Sequence, residues 1–230
     1  MQDPRMDAER RPSRLEAGER WAPLTGVAAV VLWAIGFLVI EGFGDSPSDD
    51  AAPAEILRYF EEDEGSLFLG GLIFMLGTLF FVWFAGSLRS TIAALEGASA
   101  RLASIAFAGA VMKAVFDIAL LAPQLAGAFV ANETDAPLAP EAAQALWHAG
   151  FGFFVAAEYS GALLLVATAI AILRWRLLPA WLAWASLALA LILLIPPIGW
   201  LGLLIGIPLW TLATSVLLYL RGLPARETAA

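Results

Sequence analysis

The chain has 230 residues, of which 60% are hydrophobic and 15% charged. Soluble domains carry about a quarter charged residues, so a chain with mean hydropathy +0.79 needs lipid to cover it. The net charge of −8, with no basic stripe beyond the N-terminal tail, argues against nucleic acid as a partner. The absence of cysteine excludes disulfides, thiolate catalysis, iron–sulfur ligation and cysteine-attached haem.

Residues 1–20 alternate in charge, with Arg10, Arg11 and Arg14 set against Asp7, Glu9 and Glu16, and contain Pro4 and Pro12. Such a segment buries too little apolar surface to fold alone and reads as a disordered cytoplasmic tail. The first apolar run, 24–40, has a long polar stretch before it and no small-x-small cleavage site after it. It is expected to stay in the protein as a signal anchor. Five more runs follow, at 67–88, 102–122, 146–173, 177–195 and 198–220. A helix needs roughly 20 apolar residues to cross a ~30 Å hydrocarbon core. The alternating ten-residue segments of a barrel are missing. The expected fold is therefore all-α: a polytopic bundle of six transmembrane helices over 21–222, followed by a cytoplasmic tail at 223–230. Pro196-Pro197 separates the last two runs and predicts a tight surface turn, because a second proline cannot continue a helical ladder.

Basic residues set the orientation. With the N-terminus inside, the inner segments hold the five tail arginines, Arg89, Arg101, Arg174, Arg176, Arg221 and Arg226, and the outer loops hold only Arg58. Both termini are thus expected in the cytoplasm, with the protein in the plasma membrane. The first outer loop is acidic, with Asp45, Asp49, Asp50, Glu55 and the run Glu61-Glu62-Asp63-Glu64. Ligand spacing for a metal is missing, so a solvated face is expected. Within that loop, Pro53 suits a helix start, and Ile56, Leu57 and Phe60 share one face. A short amphipathic outer helix is predicted there. The second outer loop, 124–145, carries the acceptor-like pattern Asn132-Glu133-Thr134, and Pro140 is expected to open the fourth helix. Trp21, Trp147, Trp181, Trp184 and Trp200 fall near span ends, where indole rings favour the interface. Gly70, Gly71, Gly77 and Gly109 are expected to let helices approach closely.

Three charged residues fall inside predicted spans: Lys113 and Asp117 in the third and Glu158 in the fourth. A charge at mid-bilayer costs at least ~2.5–3.5 kcal/mol, so such residues face the bundle interior. Counted from outer ends near Gln124 and Trp147, Lys113 and Glu158 each lie roughly 16 Å deep, and an interhelical pair between them is possible. Asp117 is one turn from Lys113 on the same face. His148, the only histidine, is placed at the outer mouth of this cluster. A structural triad fixing two helices is one reading. The other is a cavity binding a small polar ligand or ion, with Thr78, Thr211, Thr214 and Ser215 as further lining. No His-Glu-x-x-His, Gly-x-Ser-x-Gly or paired-glutamate pattern appears, and a retinal protein would need seven spans with its lysine in the last. No enzymatic activity and no cofactor are expected.

From about residue 26 to 220 the chain resembles a broad group of bacterial six-helix membrane proteins, common in actinobacteria and grouped as a domain of unknown function. The stretches that carry the resemblance are FFVWFAGSLRS, LEG followed by RLASIAFAGA, LLPAWLAWASLAL and PLWTLATSVLL. It implies a six-helix fold and brings no catalytic residues. The expected function is that of a non-enzymatic membrane protein with a buried polar cluster between spans three and four, a small transporter or an ion- or ligand-binding protein. The alternative is a structural or accessory subunit of a larger membrane complex, with the cluster as a helix clamp. The partners expected are the lipid bilayer and either a membrane protein or a second copy of the chain.

Overall fold

The computed structural model describes residues 21–42, 46–48, 50–135 and 137–221, and among them no strand occurs. The expected N- and C-terminal tails, with Asp45 and Asp49 of the acidic loop, lie outside the described residues. After a 3-10 turn at Ala22–Leu24 come α1 (Thr25–Gly42), α2 (Pro53–Glu62), α3 (Glu64–Glu96), α4 (Arg101–Glu133), α5 (Pro140–Trp175) and α6 (Ala180–Leu193). A final helical segment follows, comprising α7 (Pro196–Leu201), a π-helical turn at Gly202–Gly206 and α8 (Ile207–Arg221). Five stretches are long and apolar enough to cross a membrane: Ala22–Glu41, Glu64–Ser99, Arg101–Glu133, Pro140–Trp175 and Pro196–Arg221. The fifth expected span, 177–195, contains only the 14 residues of α6. At 1.5 Å per residue that is ~21 Å. Pro179 immediately before it and Pro196 just after it set the limits of this helix.

The middle three helices overrun their expected spans. α4 continues through Pro123 to Glu133, so the second outer loop is much shorter than the expected 124–145. Pro140 does open α5, as its first-turn position predicted. α5 is 36 residues, ~54 Å, far longer than the hydrocarbon core.

Two packed clusters result. The larger joins all the long helices, with Trp33, Phe81, Phe84, Leu164, Ile172 and Trp210 among its buried side chains. The smaller forms a cap where α2 packs on α4 and α5 around Ile56, Tyr59, Phe60, Leu67 and Leu121. α2 is the amphipathic helix expected from Pro53, and Ile56 and Phe60 are fully buried on its inner face. Trp147 closes this cap edge-on to Tyr59 at 5.7 Å between ring centroids. Burial pushes the Tyr59 phenol above its usual range, although a Ser46 contact of 3.4 Å opposes the shift. Asn132 is helical, and its side-chain N–H donates to the carbonyls of Phe60 (2.8 Å) and Ala128 (3.0 Å). Its amide thus ties α4 to the last turn of α2, a structural use that the acceptor-like pattern did not suggest.

Arginines mark the opposite end. Arg89, Arg101, Arg174, Arg176 and Arg221 all lie at or near helix ends there, and Trp21 stacks on Tyr219 at 5.2 Å. Both ends of the described chain are therefore at this end of the bundle. Arg176 adopts a left-handed conformation (φ 54°), and Arg221 donates to the backbone carbonyls of Arg176 and Leu177, fastening α8 to the α5–α6 turn. The Glu96 carboxylate accepts the N–H groups of Leu102 (2.9 Å) and Ala103 (3.1 Å), which satisfies the open N-terminus of α4.

Close backbone approach occurs where glycines permit it. A Cβ on Gly109 of α4 would stand 2.6 Å from the backbone nitrogen of Leu164 on α5. Gly36 and Gly70 meet in the same manner between α1 and α3, each 2.8 Å from the other's carbonyl oxygen by that measure. Gly70 and Gly109 bear out the expectation. At Gly71 the nearest neighbour, Leu125, stands at 3.4 Å, an ordinary contact.

Candidate functional site: a buried polar layer

α4 presents a buried stripe of Ala103, Ala106, Ala110, Ala114 and Leu121, and Lys113 and Asp117 lie within it. Small side chains bring α4 close to its neighbours, so the two charged residues enter the interior rather than lipid. Lys113 is 3% and Asp117 2% exposed. The lysine Nζ donates to Asp117 Oδ2 at 2.5 Å, one helical turn away. The same Nζ stands 4.8 Å from the Trp33 ring centroid and 5.4 Å from that of Phe81. Aromatic faces attract a cation electrostatically, and more so when water is excluded.

The indole is itself anchored. Trp33 Nε1 donates to Thr78 Oγ1 at 3.0 Å, and that hydroxyl donates to the Phe74 carbonyl at 3.2 Å. On the other side the lysine stem passes Gly161 of α5, where a Cβ would stand 3.8 Å from Lys113 Cδ. Helices α1, α3 and α5 thus converge on one lysine side chain of α4.

Glu158 occupies a separate niche. It is 2% exposed on α5, and its carboxyl group lies against the backbone of Gly199 in α7. A Cβ on Gly199 would stand 2.5 Å from Glu158 Oε1 and 3.0 Å from Oε2, so only glycine fits beside this carboxyl without a shift. No Lys113–Glu158 ion pair forms; Lys113–Asp117 is the one side-chain ion pair among the described residues. Glu158 has neither a hydrogen bond nor an ion pair to any described residue. The interhelical pair that the spacing allowed gives way because the i, i+4 partner on α4 is already within reach and needs no movement between helices.

The hydroxyls of Thr168, Thr211 and Thr214 are also buried without a hydrogen-bond partner. Buried polar groups are nearly always satisfied, so each orphan needs a reason. Thr78 does line the layer, through Trp33, whereas Ser215 donates instead to the Pro23 carbonyl near the arginine end. His148 is exposed, ten residues or ~15 Å nearer the start of α5 than Glu158, and makes no contact with the cluster. Among the described residues, no group of three His, Cys, Asp or Glu side chains approaches closely enough to hold a metal ion.

The arginine end gives the layer a second reference point. Asp117 is sixteen residues from Arg101 and Glu158 sixteen from Arg174, so both lie ~24 Å along their helices from that end. α4 and α5 run on past Gln124 and Trp147, so those residues are not the helix ends from which the depth was counted.

Sequence reasoning missed Trp33 as the cation's aromatic neighbour and Gly199 as the seat of Glu158. Trp33 carried a signal, being an indole in mid-span whose N–H needs a partner. Gly199 had none, since its role depends on a residue 41 positions away. No family model matches the chain, and neither does any curated protein or solved structure.

Proposed function

We propose that the protein is a non-enzymatic, six-span membrane protein in which Glu158 is the ionisable group of a small transporter or of an ion- or ligand-binding site. The observation that carries this reading is a carboxyl without a protein partner, on a residue only 2% exposed, set against the last helix one turn before its π-helical stretch. π-turns inside α-helices concentrate at functional positions. α7, the π-turn Gly202–Gly206 and α8 form one helical segment, Pro196–Arg221, with such a turn inside it, and Pro196 and Pro197 precede Gly199 by only a few residues. In this reading α6 with its flanking residues makes the fifth crossing. The arginine end faces the cytoplasm of a bacterial cell by the positive-inside rule. The bilayer's far boundary then lies ~30 Å from the arginines, ~6 Å beyond Glu158, within reach of a proton or small cation from outside.

The test is proton flux into liposomes loaded with a pH-sensitive dye, driven by an imposed pH gradient. Wild-type protein should raise the flux above empty liposomes, and Glu158→Gln should return it to background while its thermal unfolding stays within a few degrees of wild type. Equal flux in both proteins, or none in either, would overturn the transport reading.

A second reading has its own observation. The Lys113–Asp117 pair is internally neutral and enclosed by aromatic rings, as a helix clamp in a structural or accessory subunit would be. That reading expects a partner, another membrane protein or a second copy, that copurifies in fixed stoichiometry from native membranes.

A further inference from the structure

A groove of ≈ 620 Å³ runs between α4 and α5 at the arginine end of the bundle. Its walls are Leu102 and Ile105 from α4 and Leu163, Val166 and Ile170 from α5, over a floor of Ala167. Leu163, Val166 and Ile170 are all more than a third exposed on the side of the bundle, so the groove opens laterally onto the surface that lipid covers. Arg101 and Arg174 stand at its end.

Charge and length both specify the occupant. Glu96 also borders the groove, but its carboxylate is engaged by the N–H groups of Leu102 and Ala103. Arg101 and Arg174 are exposed and form no ion pair with any described carboxylate. The Arg174 guanidinium is held over the Trp175 ring at 5.0 Å, which fixes it at the level of the helix end. Two cations are thus left open at the mouth of an apolar channel. From Arg174 to Leu163 the wall extends eleven residues, ~16 Å, or about half of a ~30 Å hydrocarbon core. That is the depth occupied by the acyl chain of a lipid in one leaflet. A free anion would satisfy the arginines and leave the apolar walls unused. A neutral lipid would fill the walls and leave the arginines unpaired.

We infer that this groove is a binding site for one anionic phospholipid of the leaflet at the arginine end. The phosphate group sits between Arg101 and Arg174, and one acyl chain lies along Leu163, Val166 and Ile170. Guanidinium groups pair with phosphate oxygens in a planar, bidentate manner, which lysine cannot reproduce. Basic pockets between membrane helices at the cytoplasmic face are a known setting for anionic head groups.

Native mass spectrometry of the full chain in detergent tests this, with phosphatidylglycerol, phosphatidylcholine or inorganic phosphate added. Wild type should retain one phosphatidylglycerol at concentrations at least tenfold below those needed for phosphatidylcholine, and should retain no phosphate ion. The double variant Arg101→Gln/Arg174→Gln should lose that preference, and Arg89→Gln, an exposed arginine outside the groove, should keep it. Val166→Trp fills the channel while leaving both arginines in place, and should also abolish retention. It keeps the proposal testable if the double variant fails to fold. Equal retention of the two lipids by wild type, or undiminished retention by Val166→Trp, would overturn the proposal. Retention of phosphate without lipid would show an anion site and equally overturn it.

Discussion

Lys113 and Asp117 satisfy each other within one helix, so removing either leaves a charge in an apolar interior without its counterpart. Breaking a buried pair from one side costs about 3–5 kcal/mol, whereas replacing both partners by apolar groups is often neutral. Lys113→Met should therefore lower the unfolding temperature sharply, and Lys113→Met/Asp117→Leu should recover most of the loss. Thermal unfolding of the three proteins in one detergent reads this directly; equal losses in single and double variants would show that the pair does not act as a unit. The chemistry of these residues was legible from the sequence, because charges in a hydrophobic run must face inward. Their partners were legible only in part. The i, i+4 spacing favoured Lys113–Asp117, while the aromatic faces of Trp33 and Phe81 come from helices remote in sequence.

At the scale of elements, helix contacts depend on a few positions where backbones touch. A side chain on Gly109 would run into the backbone of α5, which cannot rotate away, whereas nothing lies within 4 Å of a Cβ on Gly86. Gly109→Val should destabilise the bundle by about 1–3 kcal/mol, the usual cost of overpacking. Gly86→Val should change it little beyond the small difference in helix propensity, and thermal unfolding of the pair checks the contrast. α2 is held by another such contact, with Phe60 packed against Gly127 and its carbonyl bonded to Asn132. Truncating a fully buried phenylalanine costs about 3–5 kcal/mol. The lost packing in Phe60→Ala belongs to the smaller cluster, so hydrogen exchange should rise over 51–62 and stay unchanged in α5 beyond residue 158. Exchange that rises throughout would mean that the cap and the bundle unfold together. The existence of α2 was readable from Pro53 and its apolar spacing, but its docking site was not, because Gly127 and Asn132 lay in what the sequence suggested was partly loop.

For the whole molecule, the absence of cysteine makes topology measurable without background. Cysteines introduced singly at Glu62, Ser99 and Ile198 report on the cap, the arginine end and the tip of the last hairpin. With six crossings and the arginine end inside, a membrane-impermeant maleimide added to intact cells should label Glu62→Cys and Ile198→Cys, and Ser99→Cys only after lysis. Labelling of Ile198→Cys only after lysis would mean that the α6–α7 turn is not on the outer side.

The sequence by itself determined that the chain is helical and apolar enough for a membrane, which residues resist lipid, and where prolines open α2 and α5. These properties are local: composition, periodicity and the missing N–H of proline act within a few residues. Tertiary structure alone decided where α4 ends, that α6 is short, and that Glu158 rests on Gly199 rather than on Lys113. A hydropathy run marks residues that can enter lipid, but a helix continues wherever packing satisfies its backbone, as the cap does for α4 beyond Pro123. Which buried groups meet is set by close approach between helices, and that depends on small residues whose partners lie far away in the chain.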